Sequence, residues 1–306
     1  MNSSTKSLKR NRQRFSILLF GSTGHGKSAT INHLLNTDTI ETGSDEPETK
    51  ATVEYLVHIN NHNNEAPILN LGIIDTPGVC DPRGLKQDAR NLHSMKHFFK
   101  SHPTYSGLKC YPNLIFLVIS ANEHRIDGSN SKLAYTLRAL NELGVVDNHH
   151  PNVVAVLTFC CSVNSSNLTK WEEIMKEKKE IISKNIYETL GVRAPVVLLE
   201  NDRESIDLKN DDDFTLLPNS ERQPENLYKT CQKILKDNGD RYGLSTFQVS
   251  LAEQPNTKKQ YRVDQHKVFA NDSEKNSISK VEQDLLDILR GSTEDAVRQC
   301  KNLTAM

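Results

Sequence analysis

The chain has 306 residues, with 38 lysines and arginines against 39 aspartates and glutamates, and its formal net charge is −1. This balance gives no electrostatic reason to expect a nucleic acid or an anionic membrane as a partner. No apolar stretch approaches the ~20 residues that cross a bilayer, and the six cysteines lack the CxxC spacing of zinc sites. We therefore expect a globular protein with reduced thiols and a cytoplasmic location.

Six short runs rich in Val, Ile and Leu predict the strands of a sheet that is covered on both faces. They span residues 15–20, 53–59, 68–75, 114–120, 153–159 and 195–200. Segments with helical character lie between or after them, at residues 27–35, 86–100, 131–143, 169–190 and 225–236. Strands that alternate with helices form βαβ units, so we expect an α/β fold with a mainly parallel six-stranded sheet and helices on both faces.

One pair of strands is expected to be antiparallel. The run 53–59 alternates apolar and polar residues, and only the polar stretch 60–67 separates it from the run 68–75. A connection this short indicates a hairpin, because parallel neighbours need a longer crossover. We therefore predict one antiparallel strand at the edge of the sheet.

The composition also changes along the chain and divides it into three parts. Residues 1–11 are polar and then basic, and we expect a disordered N-terminus. Residues 12–245 contain all of the predicted strands and form the predicted folded domain. Residues 246–306 are predicted to be a polar linker and an amphipathic C-terminal helix, whose apolar face runs from Ile278 to Leu289. This helical extension either docks on its own domain or binds a partner.

A glycine-rich motif lies between the first predicted strand and the first predicted helix. It meets the pattern GxxxxGK[ST] at Gly21, Gly26, Lys27 and Ser28. In such a loop, backbone N–H groups surround a phosphate, the lysine reaches the β and γ oxygens, and the serine hydroxyl binds Mg²⁺. The positive end of the following helix points to the same anion. The predicted fold class is therefore a P-loop NTPase. Its predicted phosphate-binding residues are Gly21, Ser22, Thr23, Gly24, His25, Gly26, Lys27, Ser28 and Ala29.

A second motif, Asp75-Thr76-Pro77-Gly78, ends the third predicted strand. An aspartate at this place can hold Mg²⁺ through water, and a glycine lets its N–H approach a γ-phosphate. A loop that contacts the γ-phosphate only before hydrolysis works as a switch. The loop between the two motifs should supply a hydroxyl for Mg²⁺, and Thr49 is slightly preferred over Thr52. The predicted metal ligands are Ser28, Thr49, Thr52 and Asp75, and the predicted catalytic residues are Lys27, Thr49 and Gly78.

These motifs resemble those of the GTPase superclass. Three runs resemble the immunity-associated (avirulence-induced-gene type) GTPases and their relatives, the septins and the chloroplast-envelope import receptors. Residues 24–32 are similar to the GxGKSxTxN run of that group, and residues 116–127 resemble its strand and Arg-Phe-Thr element. Residues 197–201 resemble the Glu-Asn end of the last motif of the import receptors. The resemblance covers residues 12–240, and it implies a G domain that binds GTP or GDP with Mg²⁺ and a nucleotide-dependent homodimer.

Base recognition departs from this resemblance. Guanine specificity usually comes from an Asn/Thr-Lys-x-Asp motif, but the equivalent strand end reads Thr158-Phe159-Cys160-Cys161 and has neither lysine nor aspartate. The import receptors resemble this run, with Thr-His in place of Thr-Lys. By analogy, Phe159 is expected to stack on the base beside Thr158, with polar contacts from Glu200 or Asn201. Stacking accepts any base, so the expectation of GTP comes from the resemblance alone.

Catalysis is expected to be slow. A glutamine often follows the third motif of a GTPase, which in this chain is Asp75–Gly78, and orients the attacking water. Here Val79 and Cys80 follow Gly78, and Gln87 lies farther along. Arg83 and Arg125 are the candidates for an arginine finger in cis. We expect a GTP-binding protein that hydrolyses GTP slowly and acts as a nucleotide-dependent switch or a self-assembling scaffold. The alternatives are a non-hydrolysing nucleotide-binding interaction module and, with less support, a P-loop ATPase or small-molecule kinase.

Overall fold

A computed structural model describes residues 15–35, 51–59, 69–102, 111–163, 165–202, 210–211, 214–240 and 262–267 of the chain. In chain order the elements are β1 (Phe15–Gly21), α1 (Lys27–Leu35), β2 (Val53–Ile59), β3 (Leu69–Asp75), α2 (Leu85–Ser101), β4 (Leu114–Ser120), α3 (Lys132–Leu143), β5 (Val153–Thr158), α4 (Leu168–Leu190), β6 (Val196–Leu198), β7 (Asn210–Asp211), β8 (Phe214–Leu216), β9 (Arg222–Gln223), α5 (Glu225–Asp237) and β10 (Arg262–Lys267).

The main sheet has the strand order β10-β2-β3-β1-β4-β5-β6. Strands β3, β1, β4, β5 and β6 are parallel to one another. Strand β2 runs antiparallel to β3, and Val53 pairs with Asp75. The mainly parallel α/β sheet and the antiparallel pairing of β2 with β3 are therefore confirmed. Because β1 lies between β3 and β4, the loop that follows β1 leaves the carboxyl edge at the middle of the sheet.

Two features of the sheets are absent from the sequence prediction. Strand β10 lies within the segment predicted as a linker, and it pairs antiparallel with β2, so β2 is not the outermost strand. Strands β7, β8 and β9 form a small antiparallel sheet within residues 210–223, where no strand is predicted. The predicted disordered residues 1–11 and the amphipathic segment 278–289 lie outside the described residues.

The core has two layers, one on each face of the sheet. Leu18 and Phe20 of β1 face helices α2, α3 and α4, whereas Ile17 and Leu19 face α1 and α5. Successive side chains of a strand point to opposite faces, so a strand whose two faces are both covered by helices is mostly apolar along its whole length, and its one polar side chain, Ser16, is paired with Asn113. This explains why the run Phe15–Gly21 is buried throughout.

A buried polar pair links helix α2 to strand β2. The ring of His102, directly after α2, lies 2.8 Å through Nε2 from Oε2 of Glu54 in β2. The side chains of His102 and Glu54 are 8% and 1% exposed, and the His102 ring also packs on Phe98 with centroids 5.1 Å apart. The end of the helix that follows the third motif is thereby joined to the beginning of β2.

The two-layered core predicts how the chain responds to truncation of a leucine. Leu117 in β4 is fully buried, whereas Leu168 at the start of α4 is 47% exposed. We expect Leu117→Ala to lower the free energy of unfolding by about 2–5 kcal/mol, because it removes packing and leaves a cavity. The same truncation at Leu168 should cost less than about 0.5 kcal/mol. Urea denaturation of both variants measures the difference, and equal losses would contradict the assignment of β4 to the centre of the sheet.

Candidate nucleotide-binding site

The glycine-rich motif forms a loop between β1 and α1, as its sequence predicts. The Lys27 ammonium folds back over this loop and donates hydrogen bonds to the backbone oxygens of Gly21 at 3.2 Å and Ser22 at 3.1 Å. Burial lowers the pKa of Lys27 to about 8, while the Asp75 carboxylate acts to raise it. A buried ammonium group with only neutral oxygens as direct partners is stabilised by an incoming anion. The loop is therefore suited to bind phosphate.

The third motif is joined directly to the phosphate loop. The Thr23 N–H donates to the Val79 carbonyl at 2.9 Å, and the Val79 N–H donates to the Gly21 carbonyl at 3.3 Å. A Cβ atom at Gly78 would overlap the backbone of Thr23, so only glycine permits this approach. Asn91 of α2 donates through Nδ2 to the Gly78 carbonyl at 2.9 Å. The two predicted motifs thus share one backbone interface.

Three predicted metal ligands come from the elements that meet here. The Ser28 hydroxyl donates to Oδ2 of Asp75 at 2.9 Å, so the two oxygen ligands are adjacent. Thr52 precedes Val53, which pairs with Asp75, and its side chain is buried. Within the described part of the chain, the Thr52 hydroxyl has no hydrogen-bond partner. Hydroxyl and carboxylate oxygens are the ligands that Mg²⁺ prefers, so this set fits the ion. The alternative Thr49 lies outside the described residues.

His25 connects the phosphate loop to the segment after β4. Its Nε2 lies 3.8 Å from Oε2 of Glu123, and the same carboxylate oxygen lies 2.9 Å from the Lys132 ammonium at the start of α3. Burial lowers the pKa of His25 to about 4, with further lowering by Lys27 and Lys132, while Glu123 acts in the opposite sense. The His25 imidazole is therefore neutral at physiological pH, and the loop keeps Lys27 as its buried charge.

The predicted base-contacting residues gather on the other side of the loop. Thr158, at the end of β5, donates through Oγ1 to the His25 carbonyl at 2.8 Å. Phe159 has φ of 56°, a left-handed conformation that is strained for a residue with a side chain. A Cβ atom at Gly26, whose own φ is 84°, would lie 3.1 Å from the Phe159 ring. Asn201 donates through Nδ2 to the Gly26 carbonyl at 3.0 Å. The ring and the amide therefore lie against the phosphate loop.

Glu200 takes a bracing position that the sequence analysis does not predict. Its Oε2 accepts the N–H of Cys161 at 2.7 Å, and its Oε1 accepts the N–H of Asp202 at 2.7 Å. Burial raises the pKa of Glu200, whereas these two hydrogen bonds act to lower it. Cys161 stands where the usual motif has its aspartate. The carboxylate of Glu200 thus joins the loops after β5 and β6, and its contact with a base stays a prediction.

Several residues that support the site carry no motif of their own. The Thr30 hydroxyl donates to the Gly26 carbonyl at 2.8 Å, and the Trp171 indole donates to the Cys160 carbonyl at 2.8 Å. Ser22 and Thr136 bring their hydroxyl oxygens within 2.9 Å, which joins the phosphate loop to α3. Ser22 lies in the phosphate loop and Thr30 in the run 24–32, whereas Thr136 and Trp171 have no such signal in the sequence. Ala29 is half-buried in the first turn of α1, and Gly24 is exposed.

Two of the residues considered for accelerating hydrolysis, Arg83 and Gln87, are engaged elsewhere. Both oxygens of Asp81 accept hydrogen bonds from the Arg83 guanidinium, at 2.8 and 2.7 Å, which ties this arginine to its own turn. Gln87 donates through Nε2 to Asn91 at 2.8 Å on α2. Arg125 is exposed in the loop after β4. Neither Arg83 nor Gln87 is presented toward the phosphate loop by these contacts.

The sheet order, the phosphate loop and the Asp75–Gly78 turn that pairs with it define a P-loop domain of the G-domain class, the fold of GTP-binding proteins. The model of the AIG1 family matches residues 15–265. This chain belongs to the AIG1 family. No protein among the curated sequences matches it.

Solved structures of chloroplast import components share the fold. Toc33 from Arabidopsis thaliana in complex with GDP and Mg²⁺ is similar with a TM-score of 0.57 and 20% identity, covering 73% of this chain and 85% of that one. The complex of Toc33 from the same plant with Mg²⁺ and GMPPNP has a TM-score of 0.55 at 19% identity, and the match covers 76% of this chain and 87% of that one. A third structure comes from work on the chloroplast translocon components atToc33 and psToc159, which describes dimerization as important for their GTPase activity. Its TM-score is 0.57 at 20% identity, and the match covers 73% of this chain and 83% of that one. At these identities the likeness concerns the fold.

Among the described residues, no helix combines the length and the hydropathy needed to cross a bilayer. Cys80, Cys160, Cys161 and Cys231, the cysteines of the described ranges, are free thiols.

The buried His25 predicts a pH dependence of stability. Its pKa lies near 6.5 when unfolded and at about 4 when folded, so the unfolded state binds more protons between these values. Stability is therefore complete above pH 6.5 and is lost as the pH falls toward 4, with a contribution from His25 of about 3 kcal/mol. His25→Gln should remove this part of the dependence. Urea denaturation of both proteins from pH 7 to pH 4 measures it, and parallel curves would contradict the burial of a neutral imidazole.

Proposed function

We propose that this chain binds GTP and GDP with Mg²⁺ and hydrolyses GTP slowly, as a nucleotide-dependent switch or self-assembling scaffold. The observation that carries the proposal is the backbone pairing of Val79 with Gly21 and Thr23. An oxygen of the γ-phosphate that binds at the phosphate loop would lie against this pairing. Occupancy of the loop would then decide the conformation of the segment that begins at Gly78.

Mg²⁺ would be held by Ser28, Asp75 and a threonine of the preceding loop. The buried Thr52 hydroxyl, without a partner among the described residues, supports Thr52 over Thr49 for this role. When bound, the ion would supply positive charge that neutralises the charge developing on the phosphates. The residues of the chain orient the triphosphate: Lys27 attracts the anion, and Gly78 leaves room for it.

Slow hydrolysis is expected from the residues that the described structure places after Gly78. Val79 and Cys80 occupy the positions after Gly78, and neither side chain can orient a water molecule as a glutamine amide does. Arg83 is held by Asp81. A second protomer that supplied an arginine would accelerate the reaction, and the relation of dimerization to GTPase activity described for atToc33 and psToc159 supports a homodimer here. The proposal includes a cytoplasmic location, which rests on the free thiols.

A non-hydrolysing interaction module is the second candidate, and the engagement of Arg83 and Gln87 favours it.

Base selectivity decides which nucleotide the site would prefer. Guanine is favoured by the family and by the nucleotides bound to Toc33, GDP and GMPPNP. Since Cys161 replaces the base-reading aspartate, discrimination against adenine nucleotides is expected to be weaker than in GTPases that carry the full motif.

Removal of the Lys27 ammonium tests nucleotide binding. Lys27→Ala should weaken the binding of a fluorescent GTP analogue by about 10- to 150-fold, since a hydrogen bond to a charged group contributes about 1.5–3 kcal/mol. Lys229→Ala is the matched control, because Lys229 is exposed on α5 and pairs only with Glu225 in its own helix turn. Titrations with GTP and ATP analogues compare the bases.

The same samples separate the two candidate functions. Release of phosphate from GTP that depends on Lys27 supports a slow GTPase. Intact GTP that stays bound for hours, with a dimer that follows nucleotide load, supports the non-hydrolysing module. Equal nucleotide affinity in wild type and Lys27→Ala would refute both candidates.

The choice of threonine has its own test. Thr52→Val keeps the shape of the side chain and removes the hydroxyl, so the Mg²⁺-dependent affinity for a GTP analogue should fall at least about tenfold. Affinity for GDP and the free energy of unfolding should change little, because the Thr52 hydroxyl has no partner in the described structure. Thr49→Val is the control. A Mg²⁺ titration that responds to Thr49→Val and ignores Thr52→Val would reverse the assignment.

A further inference from the structure

Strand β10 covers an edge of the sheet that would otherwise be open. It pairs with β2 through its whole length, from Arg262 opposite His58 to Lys267 opposite Val53, and within the described residues it has no strand on its other side. An exposed strand edge presents unpaired N–H and C=O groups that accept another extended segment. The outer edge of β2 is therefore a surface for an extended peptide, and residues 262–267 fill it.

The sequence of β10 indicates that main-chain hydrogen bonds hold it. Val263 is the only apolar residue among the six, which read Arg-Val-Asp-Gln-His-Lys. Main-chain pairing is the same whichever copy of the chain supplies the strand, so exchange between two copies replaces each hydrogen bond by an identical one. Because the strand has one apolar residue, its detachment is expected to cost little hydrophobic free energy.

The connection to the rest of the domain does not restrict β10 to its own sheet. The chain leaves α5 at Asp240, which accepts a hydrogen bond from Asn113 beside the start of β4 at 2.8 Å. Four strand spacings separate β4 from β10, about 19 Å. The 21 residues 241–261 can span up to about 70 Å when extended. A fully extended connection of 21 residues is several times longer than the crossing within one domain, so it is long enough to reach the β2 edge of a neighbouring molecule.

We propose that the outer edge of β2 is a self-association surface, which residues 262–267 occupy in cis in a single chain and in trans between two copies. The occupant of each edge in the dimer is β10 of the other copy. This association differs from a dimer across the nucleotide, because it uses the edge of the sheet and requires no nucleotide. Its test can therefore fail while the proposed GTPase function stands.

The register supplies a cross-linking test in the full chain without nucleotide. Leu56 lies directly opposite Asp264. The double variant Leu56→Cys with Asp264→Cys should form a disulfide within the monomer on mild oxidation. A mixture of chains that carry Leu56→Cys alone and Asp264→Cys alone should form a disulfide-linked heterodimer, whose yield rises with protein concentration. Non-reducing gels and mass spectrometry of the linked peptides identify both products, and oxidised wild type measures the background of its six cysteines.

A register control is available one residue along the strand. Gln265→Cys replaces Asp264→Cys in the mixture, and because neighbouring positions lie on opposite faces, its heterodimer yield should be at least about tenfold lower. Equal yields from the two mixtures, or no heterodimer from either, would overturn exchange between copies. Absence of the disulfide in the double variant would overturn the pairing itself.

A second pair of variants tests the main-chain hydrogen bonds of β10, with the same disulfide-linked heterodimer as the readout. Backbone donors point alternately toward and away from the neighbouring strand, so only one of Gln265→Pro and His266→Pro removes a donor that faces β2. Placed in the Asp264→Cys chain, one of these variants should abolish the heterodimer and the other should retain it. Equal effects of the two prolines would contradict a hydrogen-bonded strand at this edge.

Discussion

The buried ammonium group of Lys27 is the constraint on which the rest of the site depends. Its charge has left water, and the backbone oxygens of Gly21 and Ser22 replace only part of the lost hydration. Those two oxygens are also where β1 ends and where the third motif begins to pair with the loop. A phosphate that binds Lys27 therefore acts on a structure that is already in contact with the Asp75–Gly78 turn. The charge of Lys27, the shape of the phosphate loop and the Asp75–Gly78 turn therefore form one unit.

On the base side, the domain reaches a defined geometry without the usual lysine and aspartate. Glu200 holds the Cys161 and Asp202 amides, and Asn201 holds the loop at Gly26. A carboxylate that accepts two backbone N–H groups fixes two loops at once, which is a structural use of the charge. Phe159 lies against Gly26 in a left-handed conformation that this packing maintains. The geometry around the predicted base contacts therefore depends on these hydrogen bonds.

Much of this architecture was predictable because its causes are local. The strand Phe15–Gly21 is buried at every position and apolar at all of them except Ser16, as a result of burial on both faces, and the phosphate loop follows from the spacing of Gly21, Gly26 and Lys27. Strand β10 was not predictable, since pairing of backbones leaves no periodic mark in so polar a run. The bracing by Glu200 was also hidden, because it depends on amides 39 and 2 residues away. The type of an element can be predicted from the periodicity of its own sequence, whereas contacts between loops are seen only in the folded structure.

The pair His102 and Glu54 has a mechanical consequence. Helix α2 begins after the third motif, and its 17 residues carry any displacement about 25 Å to His102. There the helix is fastened to β2, whose first residue follows Thr52. The segment that begins at Gly78 and the segment that contains Thr52 are therefore joined twice, by the pairing of Val53 with Asp75 and by the contact of His102 with Glu54, and they make a closed linkage. In a closed linkage neither arm rotates alone, so the two loops would rearrange together in one cooperative step.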